Sequence, residues 1–100
     1  PSDGPLVIIK WPDKKGALVG DVVVFHLKYT NTGDQPINEI VVSDSLTPRF
    51  EHVKGSTRTD RAATFTLQPN EAGSAILRWE FSSALQPRES GLIRFEVRIR

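Results

Sequence analysis

The sequence contains no cysteine, which excludes disulfide bonds, thiol catalysis and thiolate metal sites. A cysteine-free domain can fold in an oxidising or a reducing compartment, so this absence selects neither. Methionine is also missing, even at position 1. We therefore expect the chain to be a module of a longer protein.

The chain also lacks a long apolar run and an excess of charge of one sign. No segment approaches the roughly 20 apolar residues that a membrane-spanning helix requires. The 13 basic and 12 acidic side chains leave a net charge of +1, which provides no strong field for nucleic acid or lipid. We expect neither a nucleic-acid partner nor membrane insertion by this segment.

Alternation of apolar and polar residues is the dominant pattern, and it is clearest in residues 21–33. There Val23, Phe25 and Leu27 alternate with His26 and Lys28. A period of two predicts a strand with one buried and one solvent-facing side. Turn residues bound this strand at both ends, and its length predicts a central position in a sheet.

Six further segments have strand character: 6–11, 37–43, 50–54, 63–67, 74–81 and 92–100. Residues 6–11 are expected at a sheet edge because Pro12 follows them. Loops are predicted at 12–19, 44–48, 55–61 and 68–73. Seven short strands in 100 residues predict an all-β fold, a two-sheet antiparallel β-sandwich of about seven strands. Residues 1–5 are predicted to be a linker end, and 6–100 a single module.

The phase of the three strongest strands predicts the core. The residues expected to be buried are Val23, Phe25, Leu27, Leu77, Trp79, Phe81, Ile93, Phe95 and Val97. The residues expected to be exposed are Lys28, Arg78, Glu80, Arg94, Glu96 and Arg98.

Three segments resemble a known family when their order is considered. They are GDVVVFHLKYTNTGD at 20–34, IVVSDSLTPRFEHVKGS at 40–56 and WEFSSALQPRESGLIRFEVRI at 79–99. Together they resemble the conserved repeat domain of bacterial surface proteins known as domain of unknown function number eleven. Three departures are visible. Thr47 separates Leu46 from Pro48, where the family has Leu-Pro, and Arg88 stands where the family has glycine. The segment at residues 82–85 is also longer than usual.

The resemblance implies an immunoglobulin-like sandwich with no catalytic residues. It implies a structural spacer in a large bacterial exported or cell-surface protein, hence an extracellular location, with neighbouring domains of the same chain as partners. Two alternatives stay open: an adhesion module that binds carbohydrate or protein, and an accessory domain of a secreted enzyme. The full parent sequence would separate the three.

The acidic residues and histidines suggest no metal or catalytic site. Asp44 is predicted to cap the turn at 45–47, in preference to ligating calcium with Asp34 or Asp60, because no run resembles a calcium loop. His26 is predicted to be a solvent-facing strand residue, and His52 has no metal-ligand spacing with it.

Serines 43, 45 and 56 sit in predicted turns or at strand ends, without a nucleophile-elbow sequence. We therefore predict that the chain is not an enzyme. We predict no catalytic, cofactor-binding or metal residues and no cofactor.

The arginines and tryptophans each allow two interpretations. Arg78 and Arg94 alternate with Glu80 and Glu96, which favours cross-strand ion pairs over a basic stripe for a polyanion. Trp79 is in phase with apolar neighbours and is predicted to be core. Trp11 ends a strand, and it either packs at the end of the sandwich or contacts a ligand.

Some bacterial surface sandwiches contain a cross-link between a lysine and an asparagine or aspartate in place of a disulfide. The lysine candidates here are Lys10 and Lys28, but residues 92–100 offer neither asparagine nor aspartate. Asn31 and Asn38 flank a turn, where left-handed conformations and Asx hydrogen bonds are expected. We therefore predict no such cross-link.

Overall fold

The computed structural model describes residues 5–13, 18–70 and 73–100, and eight strands lie within them. The strands are β1 (Leu6–Pro12), β2 (Val22–Asn31), β3 (Val41–Leu46), β4 (Phe50–His52), β5 (Arg58–Thr59), β6 (Ala63–Pro69), β7 (Ala75–Phe81) and β8 (Ser90–Ile99). None of these described residues is helical. Most of the predicted linker end and parts of the loops predicted at 12–19 and 68–73 lie outside the described residues.

The strands form two antiparallel sheets, which confirms the predicted β-sandwich. The larger sheet has the order β1-β2-β8-β4, with β5 also pairing with β8, and the smaller sheet has the order β3-β7-β6. Strand β2 lies between β1 and β8, as its length predicted.

The core fills the space between the sheets, and the predicted phase is correct. Eight of the nine side chains predicted to be buried are so, and among them Trp79 and Phe95 are fully enclosed. Phe25 is the exception: it is only partly buried, because it lies towards one end of the sandwich, where its ring contacts those of Phe50 and Phe95. Of the residues predicted to be exposed, Glu96 is half-buried instead.

Three predicted segments differ clearly from the structure, one strand and two loops. The strand predicted at 37–43 is β3, shifted towards the C-terminus, and residue Ile37 forms only an isolated bridge with Leu85. Residues 44–46, predicted as a break, continue β3 because they pair with β7 from Leu77 to Ala75. The loop predicted at 55–61 contains the two-residue strand β5, which pairs with β8.

Candidate functional site

The outer face of the five-stranded sheet carries exposed apolar residues along β1. The even residues of β1 pair with inward residues of β2, for example Lys10 with Leu27, so the odd residues face solvent. These odd residues are Val7, Ile9 and Trp11, with 44, 56 and 39% of their surface exposed. We call these three residues the β1 ridge.

Trp11 begins a row of side chains that crosses the whole sheet. The register pairs Trp11 with His26, His26 with Arg94, and Arg94 with Arg58. The rings of Trp11 and His26 are stacked, with centroids 5.3 Å apart and planes inclined by 19°. The row therefore passes from an aromatic platform at the β1 edge to two guanidinium groups at the opposite edge.

A shallow hollow of about 300 Å³ lies beside this row, lined mainly by His26, Arg58, Asp60, Leu92 and Arg94. Arg58 is held in place because its Nη1 donates to two backbone oxygens of the preceding loop, at 2.8 and 2.7 Å. Arg94 Nη2 lies 3.5 Å from Glu96 Oε2. The hollow combines aliphatic surface with positioned hydrogen-bond donors, an arrangement that can hold a small polar ligand by stacking and hydrogen bonding.

The arginine–glutamate pairs differ from the prediction. Arg78 Nε lies 3.2 Å from Glu80 Oε1, and the partners of the other pair are Arg94 and Glu96. Each pair lies within one strand, two residues apart, rather than across two strands. The reason is phase: residues two apart on a strand share a face, so long side chains reach each other along it.

Asp44 was predicted to cap a turn. It does not do so, because β3 continues through it. Its Oδ2 atom lies 2.8 Å from Lys10 Nζ, which reaches across from β1 in the other sheet. This oxygen makes no aligned hydrogen bond within the described residues, so the contact is an attraction of charges. The Lys10 ammonium also lies 4.7 Å from the centroid of the Phe25 ring. An ion pair thus joins the two sheets along one side of the sandwich.

Lys10 therefore has an aspartate partner on β3. The sequence did not indicate this partner, because an aspartate or asparagine was expected only on the last strand. Lys28, the second cross-link candidate, is exposed on the outer face of the large sheet. Asp60 accepts a hydrogen bond from the Tyr29 hydroxyl at 3.2 Å. Within residues 5–13, 18–70 and 73–100, no group of three or more histidine or acidic side chains could hold a metal ion.

The two histidines occupy different environments. His26 faces solvent in the row described above, as predicted. His52 is partly buried, with ring centroids 5.3 Å from Phe65 and 6.3 Å from Phe95, and this burial lowers its pKa from the ordinary value. Its Nε2 lies 3.5 Å from Ser56 Oγ, at the outer limit for a hydrogen bond.

The buried Ser56 hydroxyl contacts the backbone of β8. Its Oγ accepts the Glu96 N–H at 3.0 Å and lies 3.4 Å from the Glu96 carbonyl oxygen. These contacts attach the loop between β4 and β5 to the central part of β8.

Asn31 connects the loops at one end of the sandwich. We call this end the Asn31 pole and the other end the opposite pole. Its side chain is fully buried, and its Nδ2 donates to the carbonyl oxygens of Gln35 at 2.7 Å and Leu85 at 3.1 Å. Its Oδ1 accepts the Gly33 N–H at 2.9 Å, which is the Asx hydrogen bond that the sequence predicted. Among the non-glycine residues that the structure describes, the left-handed conformation falls instead on Glu39 and Arg88.

Arg88, one of the two residues noted above as departures from the bacterial surface repeat, has a φ of 65°. An L-residue pays a steric cost in this conformation, which glycine avoids. The Arg88 side chain offsets this cost, because its Nη1 donates to the carbonyl oxygens of Thr32 and Gly33.

Tyr29 is fully buried opposite Gly91. A Cβ atom at Gly91 would lie 2.1 Å from Tyr29 Cζ, so only glycine fits beneath this ring. Burial, and then the charge of Asp60, raises the pKa of Tyr29 to about 12. The inward phase of Tyr29 was visible in the sequence, but its pairing with Asp60 was not.

Comparison with known proteins adds no relative: no protein-family model matches the sequence, and no curated protein matches it. The described residues contain no helix long and apolar enough to cross a membrane. The chain path, contacts and charges described above are therefore the basis for inferring function.

Proposed function

We propose that this chain is a non-catalytic, load-bearing spacer module of the immunoglobulin-like type in a larger exported or cell-surface protein. The supporting observation is the direction of the first and last strands. Strands β1 and β8 are both antiparallel to β2 and lie on its two sides, so they run in the same direction. Leu6 consequently lies at the Asn31 pole and Ile99 at the opposite pole.

This path suits a chain under tension. The longest dimension is 43 Å, against 27 Å for the other two. A force applied between the two poles loads the β1–β2 and β2–β8 ladders in shear, so that many hydrogen bonds resist together. The registers run from Leu6 to Pro12 in the first ladder and from Val22 to Thr30 in the second.

Both ends of the described chain are also attached to the loops at their poles. The Pro5 carbonyl oxygen accepts the backbone N–H and the hydroxyl of Thr32, each at 2.8 Å. At the other pole the Arg100 N–H donates to Arg49 O, and its Nη1 donates to the carbonyl oxygens of Pro48 and Gly73. Tension would therefore reach the sandwich through anchored ends.

The resemblance of residues 20–34, 40–56 and 79–99 to the bacterial surface repeat supports the same proposal. It is the basis for placing the parent protein outside the cell, with neighbouring domains of the same chain as partners. A spacer requires no reactive group, which agrees with the roles of Ser56 and Asp44 in holding strands together.

Single-molecule pulling in two directions tests the proposal. Because the chain has no cysteine, a pair of introduced cysteines sets the direction of force. Handles at Pro5→Cys and Arg100→Cys apply the force between opposite poles and load the ladders in shear. Handles at Val19→Cys and Arg100→Cys both lie at the pole opposite Asn31. Pulling on this second pair separates β2 from β8 one hydrogen bond at a time. We expect a clearly higher unfolding force for the first pair. Equal forces would contradict the load-bearing role.

A second function, binding of a carbohydrate, is favoured by one observation: Trp11 is exposed and stacked on His26 beside the hollow. Trp79 is fully buried, so quenching of tryptophan fluorescence by iodide reports mainly on Trp11. An oligosaccharide that binds there should protect Trp11 from iodide, and Trp11→Ala should abolish its binding. The lack of protection by neutral and acidic oligosaccharides alike would remove this alternative.

A further inference from the structure

Two arginines face each other on the outer side of the five-stranded sheet. Arg58 of β5 is the register partner of Arg94 of β8, and both residues are exposed. Directly opposite residues in an antiparallel sheet have Cβ atoms about 4.5–5.5 Å apart, and like charges at such positions are destabilising. An anion bound between the two guanidinium groups would remove this repulsion.

The guanidinium group of Arg58 is already oriented by the backbone. Its Nη1 donates to the carbonyl oxygens of Gly55 at 2.8 Å and Thr57 at 2.7 Å. The other edge of the group, formed by Nε and Nη2, has no protein partner in the part of the chain that the structure describes. Two parallel N–H groups on one edge of a guanidinium match the two oxygens of a carboxylate. Arg58 therefore presents a preoriented edge to a carboxylate.

The two nearest carboxylates of the chain have other partners. Asp60, which also lines the hollow, accepts a hydrogen bond from the hydroxyl of the buried Tyr29 at 3.2 Å. Glu96 lies two residues along β8 from Arg94, and its Oε2 is 3.5 Å from Arg94 Nη2. Neither of these described carboxylates forms an ion pair with Arg58. The lining of the hollow, with two arginines and one aspartate, thus keeps an excess of one positive charge.

The other walls of the hollow are rings and aliphatic groups. His26 lines it on the side of β2, and the Trp11 ring stacks on the His26 ring, with centroids 5.3 Å apart. Leu92 also lines the hollow, and half of its surface is exposed. Such surfaces pack against the C–H groups of a sugar ring, while the few polar groups beside them fix its orientation.

The length of the row sets the size of a ligand that uses both of its ends. From Trp11 to Arg58 the row crosses three strand spacings, about 14 Å. This distance exceeds the length of one sugar unit. A ligand that reaches from the stacked rings to the arginines is therefore an oligosaccharide.

Arg78 on the smaller sheet provides a contrast. Its Nε donates to Glu80 Oε1 at 3.2 Å, so the edge that is free in Arg58 is occupied in Arg78. Its register partners, Ser43 and Thr66, are neutral. An exposed arginine of this chain does not by itself provide the arrangement found at the hollow.

We propose that the hollow binds an acidic oligosaccharide through the carboxylate of a uronic acid unit. The carboxylate lies between Arg58 and Arg94, with both oxygens on the Nε–Nη2 edge of Arg58, and the adjoining sugar units pack against His26 and Trp11. This proposal rests on the carbohydrate binding given above as the second function, and it adds the class of sugar.

Isothermal titration calorimetry with uronate trisaccharides tests the class of sugar. The probes are the trimers of galacturonate, mannuronate, guluronate and glucuronate. Each is compared with its methyl ester, which is the same sugar without the charge. We expect at least one trimer to bind with a Kd of about 1 mM or lower, and at least about tenfold more tightly than its ester.

Substitutions of the arginines test the position of the carboxylate. Arg58→Gln and Arg94→Gln should each weaken binding of that trimer by about tenfold, because each removes charge-assisted hydrogen bonds. Arg58→Lys should weaken it as well, since lysine keeps the charge but lacks the planar edge with two donors. Arg78→Gln is the matched control: it removes one positive charge from the other sheet and should leave the Kd unchanged. Circular dichroism of each variant establishes that the fold is retained.

The outcomes separate this proposal from the carbohydrate function on which it rests. If the methyl esters bind as tightly as the trimers or more tightly, the proposal is overturned and carbohydrate binding remains. If no trimer and no ester binds at about 10 mM, both are overturned. Tighter binding of a triglutamate peptide than of any uronate would assign the arginines to an acidic peptide and overturn the sugar. An unchanged Kd in Arg58→Gln, or an equal loss in Arg78→Gln, would overturn the site.

Discussion

Exchange of Asn31 for aspartate would test the role of the buried amide at the first pole. Asn31→Asp keeps the size of the side chain and the oxygen that accepts the Gly33 N–H. It replaces the Nδ2 donor by an oxygen, which would face the carbonyl oxygens of Gln35 and Leu85 at 2.7 and 3.1 Å. The substitution therefore exchanges two hydrogen bonds for two repulsive contacts in a site that water does not reach.

The expected loss of stability follows from these contacts. Two lost hydrogen bonds contribute about 0.5–1.5 kcal/mol each, and the carbonyl groups left unpaired add about 1–3 kcal/mol. An uncompensated buried charge costs about 3–5 kcal/mol by itself. We therefore expect the free energy of unfolding to fall by about 5 kcal/mol or more at neutral pH, a large part of the stability of a small domain.

The loss should depend on pH in a defined direction. Burial raises the pKa of the introduced carboxyl group in the folded state, whereas in the unfolded state it titrates near about 3.9. The deficit is thus smallest below this value and grows as pH rises, by about 1.4 kcal/mol per unit, until the group ionises in the folded state as well.

Urea unfolding at about pH 4 and pH 7, followed by tryptophan fluorescence, measures the deficit of the variant relative to the parent chain at each pH. Asn38→Asp is the matched control: Asn38 is exposed in the same turn region, and its change should stay within about 0.5 kcal/mol. A deficit below about 1 kcal/mol at pH 7, or one that is equal at the two pH values, would refute the role assigned to Asn31.

Four further predictions concern individual side chains. Tyr29 is the only tyrosine, so the tyrosinate absorbance of the folded chain should titrate near 12 and that of the urea-unfolded chain near 10; equal midpoints would contradict its burial. Gly91→Ala should lower the free energy of unfolding by about 3 kcal/mol or more, measured in urea, because the new methyl group meets the Tyr29 ring. Burial lowers the pKa of His52, so the unfolded state binds the proton more strongly than the folded state, and stability is lost as pH falls below about 6.5. His52→Phe should remove this part of the acid sensitivity, measured by thermal melts from about pH 7.5 to pH 5.5. Arg88→Ala should be less stable than Arg88→Gly by about 1 kcal/mol, since both variants lose the guanidinium contacts and only alanine keeps the left-handed strain.

The fold was predictable from the sequence wherever one strand face is buried and the other is wet. In β2, β7 and β8 alternation extends over most of the strand, and both the existence and the phase of these strands were correct. The errors lie where alternation is short or polar. Asp44 appeared to end a strand because a carboxylate at an inward position is unusual, and only its contact with Lys10 in the other sheet explains it.

The candidate site was predictable only in part. The sequence left open whether Trp11 packs at the end of the sandwich or contacts a ligand, and the structure shows its side chain exposed and stacked on His26. The row from Trp11 to Arg58 depends on the pairing of four strands that are distant in sequence, and one of these, β5, was predicted as a loop. Periodicity gives the face on which a side chain lies, but not its neighbour on the next strand.

The position of β2 between the first and last strands also determines when the sandwich can form. One side of β2 is completed early by β1, but the other side waits for β8, which begins at Ser90. A chain emerging from a ribosome therefore holds β2 without its second partner until β8 has emerged. Such pairing between distant segments slows folding and exposes strand edges to neighbouring chains. The architecture thus delays completion of the sandwich until β8 has emerged, and the interval before β8 docks is the one in which misassembly is most dangerous.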